Sequence, residues 1–321
     1  MSDIIGPARR DGRGVGAFNL ITLEHAEAIV TGAEAARAPV VLQLSENCVA
    51  YHGAVEPVGL AALAIARAAA VPVVVHLDHA TREDLVHAAA AIGIGSVMFD
   101  ASTLPYDGNV AATRAIGQWC AARGIWVESE LGEIGGKDGV HAPGARTRPA
   151  EAAAYAAATG VDALAVAVGS SHAMLTRDAV LDLDLISAIR DATSVPLVLH
   201  GSSGVPDETL TAAVAAGMTK INIATQLNKV WTAAIRERLA ADPVLVDPRR
   251  YTAAARDAVS AEVARLLAVV RAAPRPEPEL SAPSPVRRPA PGGERAPAGP
   301  ARRIAAGQVP ARPVAATERM K

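Results

Sequence analysis

Cysteine is almost missing from this chain, with only Cys48 and Cys120 among 321 residues. The two do not form a CxxC pair and are too few for a disulfide framework, which fits a reducing cytoplasm. Long apolar runs are missing too. Half of the residues are hydrophobic, yet none of their runs approaches the ~18–20 residues that span a bilayer, so no membrane role is expected. The start, Met1-Ser2-Asp3-Ile4, lacks a basic region followed by an apolar core, so secretion is not indicated and a cytoplasmic location is expected. A net charge of −2 speaks against a dedicated nucleic-acid binder.

That small net charge hides an asymmetry. Residues 274–321 hold nine Lys/Arg against four Asp/Glu, 11 of the 22 prolines and no aromatic residue. Such a composition cannot bury enough apolar surface to offset the entropy of ordering, so a disordered Pro/Ala/Arg-rich basic tail is expected there. Residues 1–273 are then the folded domain, with a net charge of −7.

What is present is an alternation. Short β-branched or apolar runs (Val15–Asn19, 39–45, 72–77, 96–100, 125–130, 163–168, 196–200 and 220–223) alternate with Ala-rich stretches of helical spacing. Thr22, Thr81, Pro149 and Pro206 mark helix starts. Strands apolar on both faces belong to a parallel sheet covered by helices. Eight β–α units in ~250 residues predict an α/β fold, a (β/α)8 TIM barrel, with an extra outer helix over 247–270. An open doubly wound sheet would need a glycine pattern after the first strand, where Phe18-Asn19-Leu20 stands instead.

Polar residues cluster where the strands end: Asn19, Ser45, Asp78, His79, Asp100, Glu130, His172, His200, Ser203 and Asn222. In such barrels the chemistry sits at the carboxyl ends of the strands. His79, His172 and His200 follow strands three, six and seven, and three imidazoles with an open position suit zinc or another divalent ion. Asp78, next to one of these, is placed to shuttle a proton beside bound substrate or to orient His79. Glu128, Glu130 and Asp100 could hold a second cation or orient ligands. The glycine-rich 132–139 segment reads either as a lid carrying an acid or base or as a plain surface loop. The loops after strands seven and eight, with Gly201, Ser203, Asn222 and Thr225, suit a phosphate group. His76 is expected to be structural, and no lysine ends a central strand as a main candidate, which disfavours a Schiff-base route.

The motifs Ala17-Phe18-Asn19, Val75-His76-Leu77-Asp78-His79, Val127-Glu128-Ser129-Glu130-Leu131-Gly132, Leu199-His200-Gly201-Ser202-Ser203-Gly204 and Lys220-Ile221-Asn222-Ile223-Ala224-Thr225 together resemble the class II, metal-dependent ketose-bisphosphate aldolases. The resemblance covers about residues 14–270. It implies zinc on His79, His172 and His200, with Glu130 and Asp100 at a second, displaced metal position. It implies that Asp78 handles the C4 hydroxyl proton, with a lid carboxylate, Asp138 or Glu133, as its counterpart. Asn19, Ser45, Gly201, Ser203, Asn222 and Thr225 then bind a sugar bisphosphate, fructose or tagatose. Arg249 reaches a distal phosphate across the interface of a homodimer or homotetramer, and a monovalent cation (K+ or Na+) lies near the phosphate. Two residues depart from the family pattern: Ala173 stands where glycine is usual after the second histidine, and Asp138 where a lid glutamate is usual. A metal-dependent hydrolase lacks its usual His-x-His at strand one here. A non-catalytic sugar-phosphate binder is the reading from outside enzymology.

Overall fold

The computed structural model describes residues 1–132 and 146–272. Eight parallel strands close into a barrel in sequence order, each paired with its neighbours and the last with the first. They are β1 (Val15–Asn19), β2 (Val40–Ser45), β3 (Val73–Ala80), β4 (Ser96–Phe99), β5 (Trp126–Glu130), β6 (Ala163–Ala165), β7 (Leu197–Leu199) and β8 (Met218–Ile223). The helices are α1 (Ser2–Arg10), α2 (Leu23–Ala35), α3 (Glu46–His52), α4 (Val55–Ala68), α5 (Glu83–Ala91), α6 (Tyr106–Ala121), α7 (Pro149–Thr159), α8 (Leu183–Ala192), α9 (Asp207–Ala216), α10 (Thr225–Ala241) and α11 (Pro248–Arg271). None of these is both long and apolar enough to cross a membrane by itself.

The barrel and the outer helix α11 agree with the sequence expectation, and several details correct it. β6 and β7 are three-residue strands, shorter than their apolar runs. Val166, Ala167 and Val168 beyond β6 are still buried, with Val166 N–H on Val198 O and Ala167 N–H on the Thr147 hydroxyl. α5 starts after Arg82, not Thr81, whose N–H and hydroxyl instead donate to Glu46. Pro206 does mark a helix start, as the N-cap residue directly before α9. Helices α1 and α3 have no counterpart in the sequence reading, and α10 is the helix of the eighth unit. The expected tail, 274–321, lies outside the described residues.

Local chemistry explains several boundaries. Pro149 opens α7 and Gly160 closes it in the left-handed conformation. Asp247 caps α11, accepting from Arg249 N–H, with Pro248 at the first helical position. Gly32 lets α11 pack tightly on α2, because a Cβ there would sit 2.5 Å from Ser260 O.

Inside the barrel the side chains form layers. At the amino-terminal end, Ile4 and Ile5 of α1 pack with Val15, Ala17 and Val41 and plug the floor. Trp126, Ala163, Ala165 and Val198 fill the interior on the side of β5–β7. Above the floor the lining turns polar: Gln43, His76, Glu128 and Lys220 are all fully buried. The mouth residues lie one further pleat up, since side chains on one face recur every second residue.

Candidate active site

One irregularity positions the chemistry. Between β3 and β4, Leu77 pairs with Val97 while Ala80 pairs with Phe99, so β3 carries one extra residue there. His79 occupies that stretch with φ +52. In a regular strand Asp78 and His79 would face opposite sides. A bulge with a left-handed residue turns both toward the mouth.

Three imidazoles converge there. The ring centroids of His79, His172 and His200 lie 4.7–5.5 Å apart. One ligand atom from each, and one from Glu130, lie within 4.8 Å of one another. Such separations match donors surrounding a single cation, and three imidazoles with a carboxylate suit zinc. Two of the rings have carboxylate partners that orient them. His79 Nδ1 is 2.7 Å from Asp100 Oδ2, which leaves Nε2 as its available nitrogen. His200 Nε2 is 3.0 Å from Glu128 Oε1, while its Nδ1 faces Glu130 Oε2 at 3.1 Å. These are carboxylate–histidine pairs of the kind that fix tautomer and ring angle in metal sites.

Asp78 is buried beside the cluster. Asn19 Nδ2 donates to its Oδ2 at 2.9 Å, and Asn222 Nδ2 reaches Oδ1 at 3.5 Å. Gln43 Nε2 holds Asn19 Oδ1 in turn at 3.0 Å. Burial alone would raise the Asp78 pKa, but His79, Lys220 and His200 outweigh it and pull it down to about 2. The group is therefore ionised at neutral pH and able to accept a proton. His200 is pushed up to about 9: burial opposes its charge, but its hydrogen bonds to Glu128 and Glu130 dominate. For Glu128 too, burial favours the neutral form, but Lys220 and the histidines hold it well below the usual carboxylate range.

The cleft of about 130 Å³ above these groups is lined by Asn19, Ser45, Asp78, His79, His172, Ala173, Gly201, Ser203, Asn222 and Thr225. Larger grooves, of about 500 and 340 Å³, lie along α2 and α11 and at the barrel floor. Neither reaches the polar cluster, so size is the poorer guide here. Gly201 has φ +67, and a Cβ on it would meet Ser171 O at 2.4 Å. The Ser203 hydroxyl accepts from the N–H groups of Ala224 and Gln226, joining the β7 loop to the start of α10. The Ser45 hydroxyl accepts from Cys48 N–H and so caps α3 as well.

Not every expected residue meets here. Asp100 hydrogen-bonds His79 and, through Oδ1, Ser102, and it is outside the four-residue cluster. Arg249 is exposed on α11, paired with Asp247, and does not line this chain's cleft. Asp138 and Glu133 lie outside the described residues. Of the histidines given no role, His25 stacks on Trp231, His52 meets Ile21 O, and His87 packs on Trp119, while His141 lies outside the described residues. Lys220 heads a motif in the sequence but is given no role there. It is fully buried in the middle of β8, 2.8 Å from Glu128.

The family model for "Fructose-bisphosphate aldolase class-II" matches residues 1–275. The chain belongs to the class-II fructose-bisphosphate aldolase family. Membership makes it a lyase. It is 38% identical over 267 residues to a fructose-bisphosphate aldolase of Geobacillus stearothermophilus, across 82% of this chain and 93% of that one. A fructose-bisphosphate aldolase of Giardia intestinalis is 34% identical over 286 residues, covering 81% and 88% of the two chains. The crystal structure of the YdjI aldolase from Escherichia coli K12 superposes with a TM-score of 0.73 at 28% identity, across 84% of this aldolase and 96% of that chain.

Proposed function

We propose that this chain catalyses the reversible, metal-dependent retro-aldol cleavage of fructose 1,6-bisphosphate to dihydroxyacetone phosphate and glyceraldehyde 3-phosphate. The observation that carries the reading is the convergence of His79, His172, His200 and Glu130 on one point beside an ionised, buried Asp78. The donor set fits zinc: nitrogen and carboxylate ligands, each histidine with a defined partner or ring contact, with His79 and Glu130 on strands and His200 directly after one. A zinc ion held by His79, His172 and His200 would act as a Lewis acid, dispersing the negative charge that builds on the substrate as C3–C4 breaks.

The chain's own residues supply the rest. Asp78 takes the C4 hydroxyl proton, and Asn19 and Asn222 hold its carboxylate toward the cleft. Asp138, or Glu133, on the segment after β5 returns a proton to C3. Gly201, Ser203 and Thr225 provide backbone and hydroxyl donors for one phosphate, with Ser45 on the opposite wall. Glu130 and Asp100 offer a second position for the cation, and a K+ or Na+ ion beside the phosphate belongs to the same reading. Arg249, which does not line its own chain's cleft, acts on the distal phosphate of a neighbouring subunit in a homodimer or homotetramer. The enzyme then works in glycolysis in the cytoplasm.

Turnover of fructose and tagatose 1,6-bisphosphates by the zinc-loaded protein, with and without a chelator, is the deciding experiment. Triose-phosphate release from the fructose epimer that stops on chelation is the expected result. Preference for the tagatose epimer would move the substrate assignment. Absence of cleavage with zinc bound would leave a sugar-phosphate binder.

A further inference from the structure

Beneath the mouth of the barrel lies a buried ion pair that neither the metal ligands nor the proton acceptor explains. Glu128 and Lys220 are both fully buried, with Lys220 Nζ 2.8 Å from Glu128 Oε2. Desolvating two charges is expensive, and apolar replacements of equal volume are often at least as stable, so stability alone is a weak reason for the pair. What each partner touches supplies a better one. Glu128 Oε1 accepts from His200 Nε2 at 3.0 Å. An ionised carboxylate can only accept, so the ring carries hydrogen on Nε2 and presents Nδ1 to Glu130. Lys220 Nζ also donates to Asn222 Oδ1 at 2.9 Å. An ammonium can only donate, so it fixes which way the amide faces, and Asn222 Nδ2 is left toward Asp78.

We propose that Lys220 is a positioning residue: one ammonium holds Glu128 against His200 and Asn222 against Asp78, tying the cation ligand and the proton acceptor into one rigid unit. The inference rests on the aldolase reading above. A methionine would fill the same space with no donor, so volume does not account for lysine here. The arrangement also explains why Glu128 and Lys220 stand one pleat below Glu130 and Asn222 on the same strands. Glu128 on β5 braces His200 at the end of β7, and Lys220 braces Asn222 on its own strand.

The test compares the parent with Lys220→Met and with the double variant Glu128→Gln/Lys220→Met. Folded content by circular dichroism, zinc affinity by chelator competition, and kcat and KM are read separately. Losing a partner that orients a metal ligand typically weakens metal binding by about 10–100-fold. Lys220→Met should therefore bind zinc at least about tenfold more weakly, and kcat per zinc-loaded site should fall about tenfold with KM little changed, as expected when proton transfer rather than binding suffers. In the double variant the introduced amide oxygen still accepts from His200, and no buried charge lacks a counter-charge. Zinc affinity should recover to within about threefold while kcat stays low, because nothing holds Asn222. Parent-like zinc affinity and kcat in Lys220→Met would overturn the proposal, and so would recovery of kcat in the double variant. Failure of both variants to fold would also overturn it, assigning the pair to stability alone. A parent that neither binds zinc nor turns over substrate would instead remove the aldolase reading, so the two failures are distinguishable.

Discussion

Replacing Asp100 by asparagine changes one atom and should cost more zinc affinity than removing the side chain. Asp100 is buried, with Oδ1 accepting from both Ser102 N–H at 3.2 Å and Ser102 Oγ at 2.6 Å, while Oδ2 faces His79 Nδ1 at 2.7 Å. The backbone N–H of Ser102 can only donate, so in Asp100→Asn the amide oxygen stays on Ser102 and the NH2 turns toward His79. His79 Nδ1 must then accept, which places the ring hydrogen on Nε2, the nitrogen available to a cation. Flipping the amide instead sets its NH2 against Ser102 N–H and leaves a buried donor unmatched, a cost of about 1–3 kcal/mol. Either route should weaken zinc binding by about 10–100-fold, or roughly 1.4–2.7 kcal/mol. Asp100→Ala releases the ring without forcing the wrong tautomer, so it should bind zinc more tightly than Asp100→Asn does. Competition against a chelating dye, with zinc counted per chain, measures both. Parent-like affinity in Asp100→Asn, or the reverse order of the two variants, would refute the orienting argument. A drop from two zinc ions per chain to one would instead make Asp100 a ligand.

Further outcomes follow from the geometry. Gly201→Ala puts a methyl 2.4 Å from Ser171 O at φ +67, so it should displace the segment bearing His172, cost about 2 kcal/mol or more in urea unfolding, and impair zinc binding. Gly53→Ala, at φ +82 with open space around it, should cost only about 1 kcal/mol and leave zinc binding unchanged. Ala173→Gly relieves a left-handed alanine at φ +59 and opens the cleft it lines; it should stabilise the fold by about 0.5–1 kcal/mol and lower KM. Burial pushes both Cys48 and Cys120 up from 9 to about 11, so neither should react with iodoacetamide at pH 8 until the chain is unfolded. A thiol pKa raised by folding favours the native state below pH 9, and that contribution should fade as pH rises toward 11. Fast native alkylation at pH 8 would contradict the burial.

The barrel and most of the candidate site are legible in the sequence because both obey simple periods. Apolar runs separated by Ala-rich helices announce a parallel sheet covered on its outer face, and a polar residue ending such a run has few places to be except the mouth. His79, His172, His200 and Glu130 come together on that logic. The β3 bulge is not legible: a shift of one residue in the ladder leaves no trace in composition, and Asp78-His79 reads equally well as straight strand. Lys220 is hidden for a different reason. A lysine at the start of an apolar run looks like a solvated strand end, whereas the ladder actually begins two residues earlier, at Met218. Period-two spacing does carry a signal. Gln43-x-Ser45, His76-x-Asp78, Glu128-x-Glu130 and Lys220-x-Asn222 each place a polar residue one pleat beneath a mouth residue.

That repeated spacing explains why so much charge is tolerated inside this barrel. An isolated buried carboxylate or ammonium would be neutralised or expelled. Here each member of the lower layer finds a partner on another strand: His76 Nδ1 meets Ser96 Oγ at 2.7 Å, Gln43 reaches Asn19, and Lys220 bridges Glu128 and Asn222. Partners on different strands can hold such distances only if the barrel is closed and the register fixed. The closed sheet therefore does more than display the mouth residues. It places a rigid polar floor under the cleft, so that Asp78 and His200 are held in fixed positions and, on the aldolase reading, little reorganisation is left to the chemical step. The left-handed backbone at His79 and Ala173 lines the same cleft, where a well-braced floor can sustain local strain.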